Sequence, residues 1–138
     1  MSKGIDDAMK PLIEAMNKIP YIETFSCCEG HPEESAVRQY GYSVANVIFE
    51  IKDEPQNLIA WLSFAQEILR QRKRATVNKE FAFIIEKKYN LNEDNNIGWE
   101  WEIKIQATGK SSEECRLGLD EGIAFLSRIF EKETEKWR

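Results

Sequence analysis

The sequence predicts an α+β fold: a four-stranded, mostly antiparallel sheet with three helices, in the order α-β-β-α-β-β-α. Three observations predict it. Apolar residues recur at helical spacing in three blocks, at the start, middle and end of the chain. Between those blocks lie four runs rich in β-branched and aromatic residues, each too short for a helix. The last two runs are joined by the polar segment Asn90-Leu91-Asn92-Glu93-Asp94-Asn95-Asn96, which reads as the turn of an antiparallel hairpin. Helices packed on one face of such a sheet complete a two-layer architecture.

The first helix follows from Ile5, Met9, Leu12, Ile13, Met16 and Ile19, and ends at Pro20. Pro11 lies inside the pattern, so the helix either starts late with Pro11 in its first turn or kinks there. Tyr21 to Cys27 is the first strand, and residues 28–41 form a polar loop carrying Gly30, Pro32 and Gly41. Val44 to Ile51 is almost continuously apolar, as expected of a central strand. Asp53, Pro55 and Gln56 signal the second helix, with Asp53 as cap and Gln56 completing a capping box. Its expected buried stripe is Leu58, Trp61, Leu62, Ala65, Ile68 and Leu69, running to about Arg72. Phe81 to Tyr89 and Trp99 to Ala107 are the last two strands. Trp99, Trp101, Ile103 and Ile105 share one face of the fourth, opposite Glu100, Glu102, Lys104 and Gln106. Ser111 with Glu114 forms a capping box for a long final helix along Cys115, Leu119, Ile123, Leu126, Phe130 and Trp137.

With 138 residues, the chain reads as a single domain spanning 1–138, long enough to bury a core without staples. Its net charge of −5 argues against non-specific nucleic-acid or lipid binding. No apolar run approaches the roughly 20 residues that span a bilayer, and the N-terminus turns acidic without the apolar segment of a signal peptide. The expected location is cytoplasmic. An odd number of cysteines fits a reducing compartment. Adjacent Cys27 and Cys28 have Cα atoms ~3.8 Å apart, which would strain a bond between them, so all three are read as thiols.

Reactive chemistry concentrates at Ser26-Cys27-Cys28-Glu29-Gly30-His31. Gly30 permits a positive φ, which lets neighbouring N–H groups converge on an anion. Pro32 disfavours α conformation at His31, the only histidine. As a nucleophile site, Cys28 attacks while His31 accepts its proton. Alternation along the strand sends Cys27 and Cys28 to opposite faces, and Cys28 is nearer the turn. Ser26, Cys27, Glu29 and Gly30 are the accompanying ligand-binding candidates, with a small anionic or nucleotide-like molecule as ligand. The bland alternative is an inert, part-buried cysteine and a solvated histidine. Cys28, His31 and a carboxylate from Glu29, Glu33 or Glu34 have zinc-ligand chemistry. However, a structural zinc takes four Cys/His ligands, which would require Cys115 from the last helix, and no metal is assigned. The residues themselves identify no cofactor.

Thr24-Phe25-Ser26-Cys27-Cys28-Glu29-Gly30-His31 resembles the Thr-Thr-Ser-Ser-Cys-Ser-Gly-Arg segment of the wybutosine-synthesis tRNA methyltransferase family, matching at Thr24, Ser26, Cys28 and Gly30. The preceding helix with Ile19-Pro20-Tyr21 is similar too. The resemblance implies methyl transfer from S-adenosylmethionine to a nucleotide-like substrate. It covers about the first third of the chain, and Cys27, Glu29 and His31 replace two serines and an arginine of that family's segment. The turn also resembles Ser-Cys-x-Gly-His segments of small uncharacterised microbial proteins.

Other features have two readings each. Arg70, Arg72, Lys73, Arg74 and Lys79 form either a phosphate patch or the usual cations of a helix C-terminus. Trp99 and Trp101 either line a pocket for a flat ligand or belong to the core. Glu100 and Glu102 form a carboxylate pair or are solvated strand residues. Gly118 and Gly122 on one face of the last helix allow close packing, including against a second subunit; Leu117 and Phe125, off the main stripe, fit a homodimer surface. An interaction protein without an active site is thus the alternative to a catalytic domain. No Walker loop, Rossmann fingerprint, metalloprotease motif or nucleophile elbow is present.

Overall fold

The structure, a computed structural model, describes residues 7–91 and 97–137. A 3₁₀ turn over Asp7–Met9 leads into α1 (Lys10–Asn17), followed by β1 (Ile22–Cys28), α2 (Glu34–Tyr40), β2 (Tyr42–Ile51) and α3 (Pro55–Arg74). The hairpin strands β3 (Phe81–Leu91) and β4 (Ile97–Thr108) precede α4 (Ser112–Thr134), which closes in a 3₁₀ turn over Glu135–Trp137. The sheet order is β1-β2-β4-β3, and every neighbouring pair is antiparallel. The α+β class holds, with one helix more than expected. Ile5 and the predicted turn residues 92–96 lie outside the described residues.

The extra helix is α2, inside the segment read as a loop. It has seven residues, of which only Val37 is buried, so it offers no apolar stripe to detect. Its clearest sequence mark is the terminator Gly41, which takes φ 76° at the C-cap. Elsewhere the local signals act as expected. Pro11 sits in the first turn of α1, where its missing N–H costs nothing. The Ser111 hydroxyl accepts the Glu114 N–H at 3.1 Å, half of the predicted capping box. At α3 the chain departs from its signal: Glu54, not Asp53, is the N-cap, and the Gln56 amide donates to the Glu54 carboxylate instead of closing a box.

Strand alternation sorts the sheet into two faces. Ala45, Val47 and Phe49 of β2, Ile103, Ile105 and Ala107 of β4, and Phe81 and Phe83 of β3 are buried against the helices. Trp61 of α3 packs edge-on to Phe49 and Trp101, and Phe64 edge-on to Phe130 of α4. Each such fully buried side chain contributes about 1.5–3 kcal/mol. Helix α4 lies close to the sheet because Gly118 and Gly122 face it: added Cβ atoms would stand 2.8 Å from Ala107 Cβ and 2.6 Å from Ile105 Cγ2. The two glycines therefore seat α4 on its own sheet, and Phe125 packs on Phe81 and Phe83, while Leu117 is exposed. Among the described residues, those of opposite parity on β2, β3 and β4 form an outer face that is exposed or part-exposed over 42–50, 82–88 and 100–108, except Glu102.

The α3 stripe also needs correction. Trp61, Phe64, Ala65 and Ile68 are buried, whereas Leu58, Leu62 and Leu69 are exposed and Ile59 is 67% exposed. The leucines read as core face the solvent side of the helix, and Phe64 takes their place inside.

Candidate functional site

The site is built from the end of β1. Ile22 pairs with Ile51 and Thr24 with buried Phe49, so β1 begins with even-numbered residues on the helix side. The register then shifts between Thr24 and Ser26, leaving Phe25 as a bulge. One extra residue reverses the alternation. Beyond the bulge Cys27 pairs with Val47 and packs against the core, while Cys28 pairs with Asn46 on the outer face. Without the bulge the two cysteines would exchange faces.

The turn that follows is tightly held. Gly30 has φ 84°, and a Cβ there would lie 2.7 Å from Leu119 Cδ1 and 2.9 Å from the Val44 carbonyl oxygen. Only glycine satisfies both the backbone conformation and the space. Its N–H donates to Cys28 Sγ at 3.4 Å. Its carbonyl accepts from Arg116 Nη1 at 2.6 Å, and the Glu29 carbonyl accepts from Arg116 Nη2 at 2.8 Å. Asp120, one turn further along α4, holds the same guanidinium at 2.9 Å. Next to this clamp the Glu34 carboxylate accepts the Ser112 N–H at 2.8 Å, tying α2 to the start of α4. Hydrogen bonding from Ser112 keeps the Glu34 carboxyl below its usual range.

Of the predicted residues, Ser26 and Cys28 lie on the outer face, Cys27 on the core side, Glu29 and Gly30 in the clamp, and His31 exposed on the loop before Pro32. Cys28 is part-exposed. Cys115 is fully buried beside Ala107, and burial pushes its thiol above the ordinary range. All three cysteines are free thiols. Among the described residues no three His, Cys, Asp or Glu side chains gather as a metal site.

Sequence reasoning missed Arg116. A cation in the first turns of a helix opposes the dipole, and that misplacement is the signal of a tertiary role. It also missed the polar network of the outer face. Glu102, read as solvated, is only 3% exposed; it accepts from Asn46 at 2.8 Å and is ion-paired with Lys88. Burial alone would raise its carboxyl, but Lys88 and Asn46 outweigh burial and hold it below the usual range. Lys104 and Glu86 pair beside it at 3.1 Å. Asn46 thus lies between Cys28, its pairing partner on β1, and the buried carboxylate of Glu102.

Two of the basic residues near the end of α3 have structural work. Arg72 donates to the Phe81 carbonyl at 2.8 Å and lies 4.5 Å above the Phe81 ring, and Arg70 pairs with Glu67. Among the described residues no helix is long and apolar enough to cross a membrane. Compared with protein-family models, with curated proteins and with solved structures, the chain gives no match.

Proposed function

We propose that this chain is a small group-transfer domain in which Cys28 is the nucleophile and His31 its proton acceptor. The observation that carries the reading is the Gly30 N–H directed at Cys28 Sγ on a thiol that faces outward. That N–H holds the sulfur in one orientation, as an attacking nucleophile requires. The Arg116 clamp supports the reading by fixing that donor before any substrate arrives. In the reaction, Cys28 sulfur forms a bond to the electrophilic carbon of the substrate. The thiol proton passes to His31, and the leaving group departs with the electron pair of the broken bond. Resemblance at Thr24, Ser26, Cys28 and Gly30 supplies the transferred group and the substrate class: a methyl group passed to a nucleotide-like molecule.

Alkylation kinetics test this. In a Cys27→Ala background, Cys28 is expected to react with iodoacetamide at neutral pH several-fold faster than free cysteine, and His31→Asn to remove the advantage. A rate no higher than the model thiol, or one indifferent to His31, would remove Cys28 as nucleophile.

A second reading, a homodimer, rests on the exposed face of α3. Ile59, Leu62, Gln66, Leu69 and Lys73 follow three-and-four spacing along that face, the seam pattern of paired helices. Asp53 and Glu54 precede this helix, and Arg70, Lys73 and Arg74 end it. Antiparallel pairing with a second copy joins opposite charges at both ends, as a self-complementary two-fold contact requires. Light scattering on the Leu62→Glu and Leu69→Glu variants checks it: the parent should be dimeric and both variants monomeric. A monomeric parent ends the reading.

A further inference from the structure

At the far end of β2 from Cys28 lies a cavity of about 550 Å³, within the range of small-molecule sites. Glu50 and Ile51 end the strand on one side of it, Lys52 to Pro55 and Leu58 carry the wall into α3, and Lys87, Trp99 and Trp101 close it from the hairpin. The two tryptophans do different work. Trp101 is anchored edge-on to buried Trp61, with ring centroids 5.6 Å apart, whereas Trp99 is 54% exposed although it shares the core-facing side of β4. Trp99 packs edge-on to Tyr89, with ring centroids 5.6 Å apart, but Tyr89 is itself 67% exposed, so the indole stays open to the cavity.

The chemistry of the wall selects a charge. Lys87 Nζ lies 4.7 Å from the Trp99 ring centroid and 5.8 Å from that of Trp101, so one ammonium rests against both indoles. Aromatic faces attract cations through the ring quadrupole, and here they hold one already. The rim on the α3 side adds Lys52, Asp53 and Glu54. Glu54 is engaged by Gln56, but the Asp53 carboxylate has no hydrogen bond or ion pair among the described residues. A planar anion entering the cavity would meet that carboxylate, while a cation would satisfy it.

We propose that this cavity binds a small organic cation, an alkylammonium with an apolar body, between Trp99 and Trp101, in the seat that the Lys87 ammonium fills in the free protein. Leu58 and Pro55 receive the apolar part, and Asp53 supplies the carboxylate at the rim. The site is independent of the Cys28 turn: Cys28 pairs with Asn46, and the cavity starts at Glu50.

The test uses three probes on the full chain: choline, its neutral carbon isostere dimethylbutanol, and benzenesulfonate. Binding is followed through the indole N–H signals of Trp99 and Trp101 by NMR. Choline should shift both signals saturably and bind about tenfold tighter than the isostere. Lys87→Met, which removes the resident cation and keeps its stem, should tighten choline several-fold. Trp99→Ala should weaken it about tenfold, and Asp53→Asn several-fold, so the test stands even if the Trp99 variant folds poorly. Equal binding of choline and isostere, tighter binding of benzenesulfonate, loss of choline binding in Lys87→Met, or no saturable shift with any probe would each overturn the proposal.

Discussion

Arg116 donates to the carbonyl oxygen of Gly30 at 2.6 Å across 86 residues of chain. The contact makes the start of α4 the anchor of the turn that ends β1.

Removing the guanidinium should release the turn without dismantling the sheet. Arg116→Ala loses two charge-assisted hydrogen bonds and should cost about 2 kcal/mol. Arg116→Lys should recover only part of it, because one ammonium cannot reproduce the fork. Hydrogen exchange at residues 29–31 should accelerate at least about tenfold, while amides shared by β2 and β4 slow or quicken only with global stability. Unchanged exchange at the turn would show that Arg116 is not its anchor.

Glycine positions on the two sides of α4 should fail for different reasons. Gly30→Ala meets both a positive φ and a backbone oxygen that cannot yield, for a loss of about 3 kcal/mol. Gly122→Ala has ordinary helical geometry but overlaps Ile105 and Phe81, for a loss of about 1–3 kcal/mol. Urea denaturation compares them. Only Gly30→Ala should also change the alkylation rate of Cys28, through the N–H that the turn supplies.

Acid should weaken the outer face through Glu102. Its carboxyl is lowered in the folded chain, so its stabilisation is complete above the ordinary carboxylate value of about 4.3 and is lost as pH falls through the lowered one. Lys88, raised chiefly by its hydrogen bond to Glu102, contributes below about 10.4 and loses that contribution as pH rises through its higher folded value. Glu102→Gln should therefore cost about 2 kcal/mol between those limits, and the gap to the parent should close in acid. A gap that persists undiminished to pH about 3 would show that the charge of Glu102 is not what stabilises.

Much of the fold was legible in local chemistry. Apolar spacing placed α1 and α4, the β-branched and aromatic runs placed four strands, and Ser111 with Glu114 marked the start of α4. These signals act within a few residues of chain, so one sequence suffices to read them. The short α2 escaped because a helix with one buried residue leaves no period to count. On α3 the apolar residues nearly encircle the helix, so spacing alone could not choose between Phe64 inside and Leu62 outside.

The sequence by itself determined which residues are chemically able to act: one histidine, two adjacent thiols, and a glycine-proline turn beside them. Tertiary structure decided how they face. The bulge at Phe25 turns Cys28 outward and Cys27 inward, and it exists only in register with β2. Arg116 reaches the turn, Asn46 reaches Glu102, and Lys87 lies over two indoles, all through strand and helix pairings distant in the chain. The physical reason is one of range. Backbone preferences are settled by neighbours in sequence, whereas facing, burial and charge pairing are settled by neighbours in space.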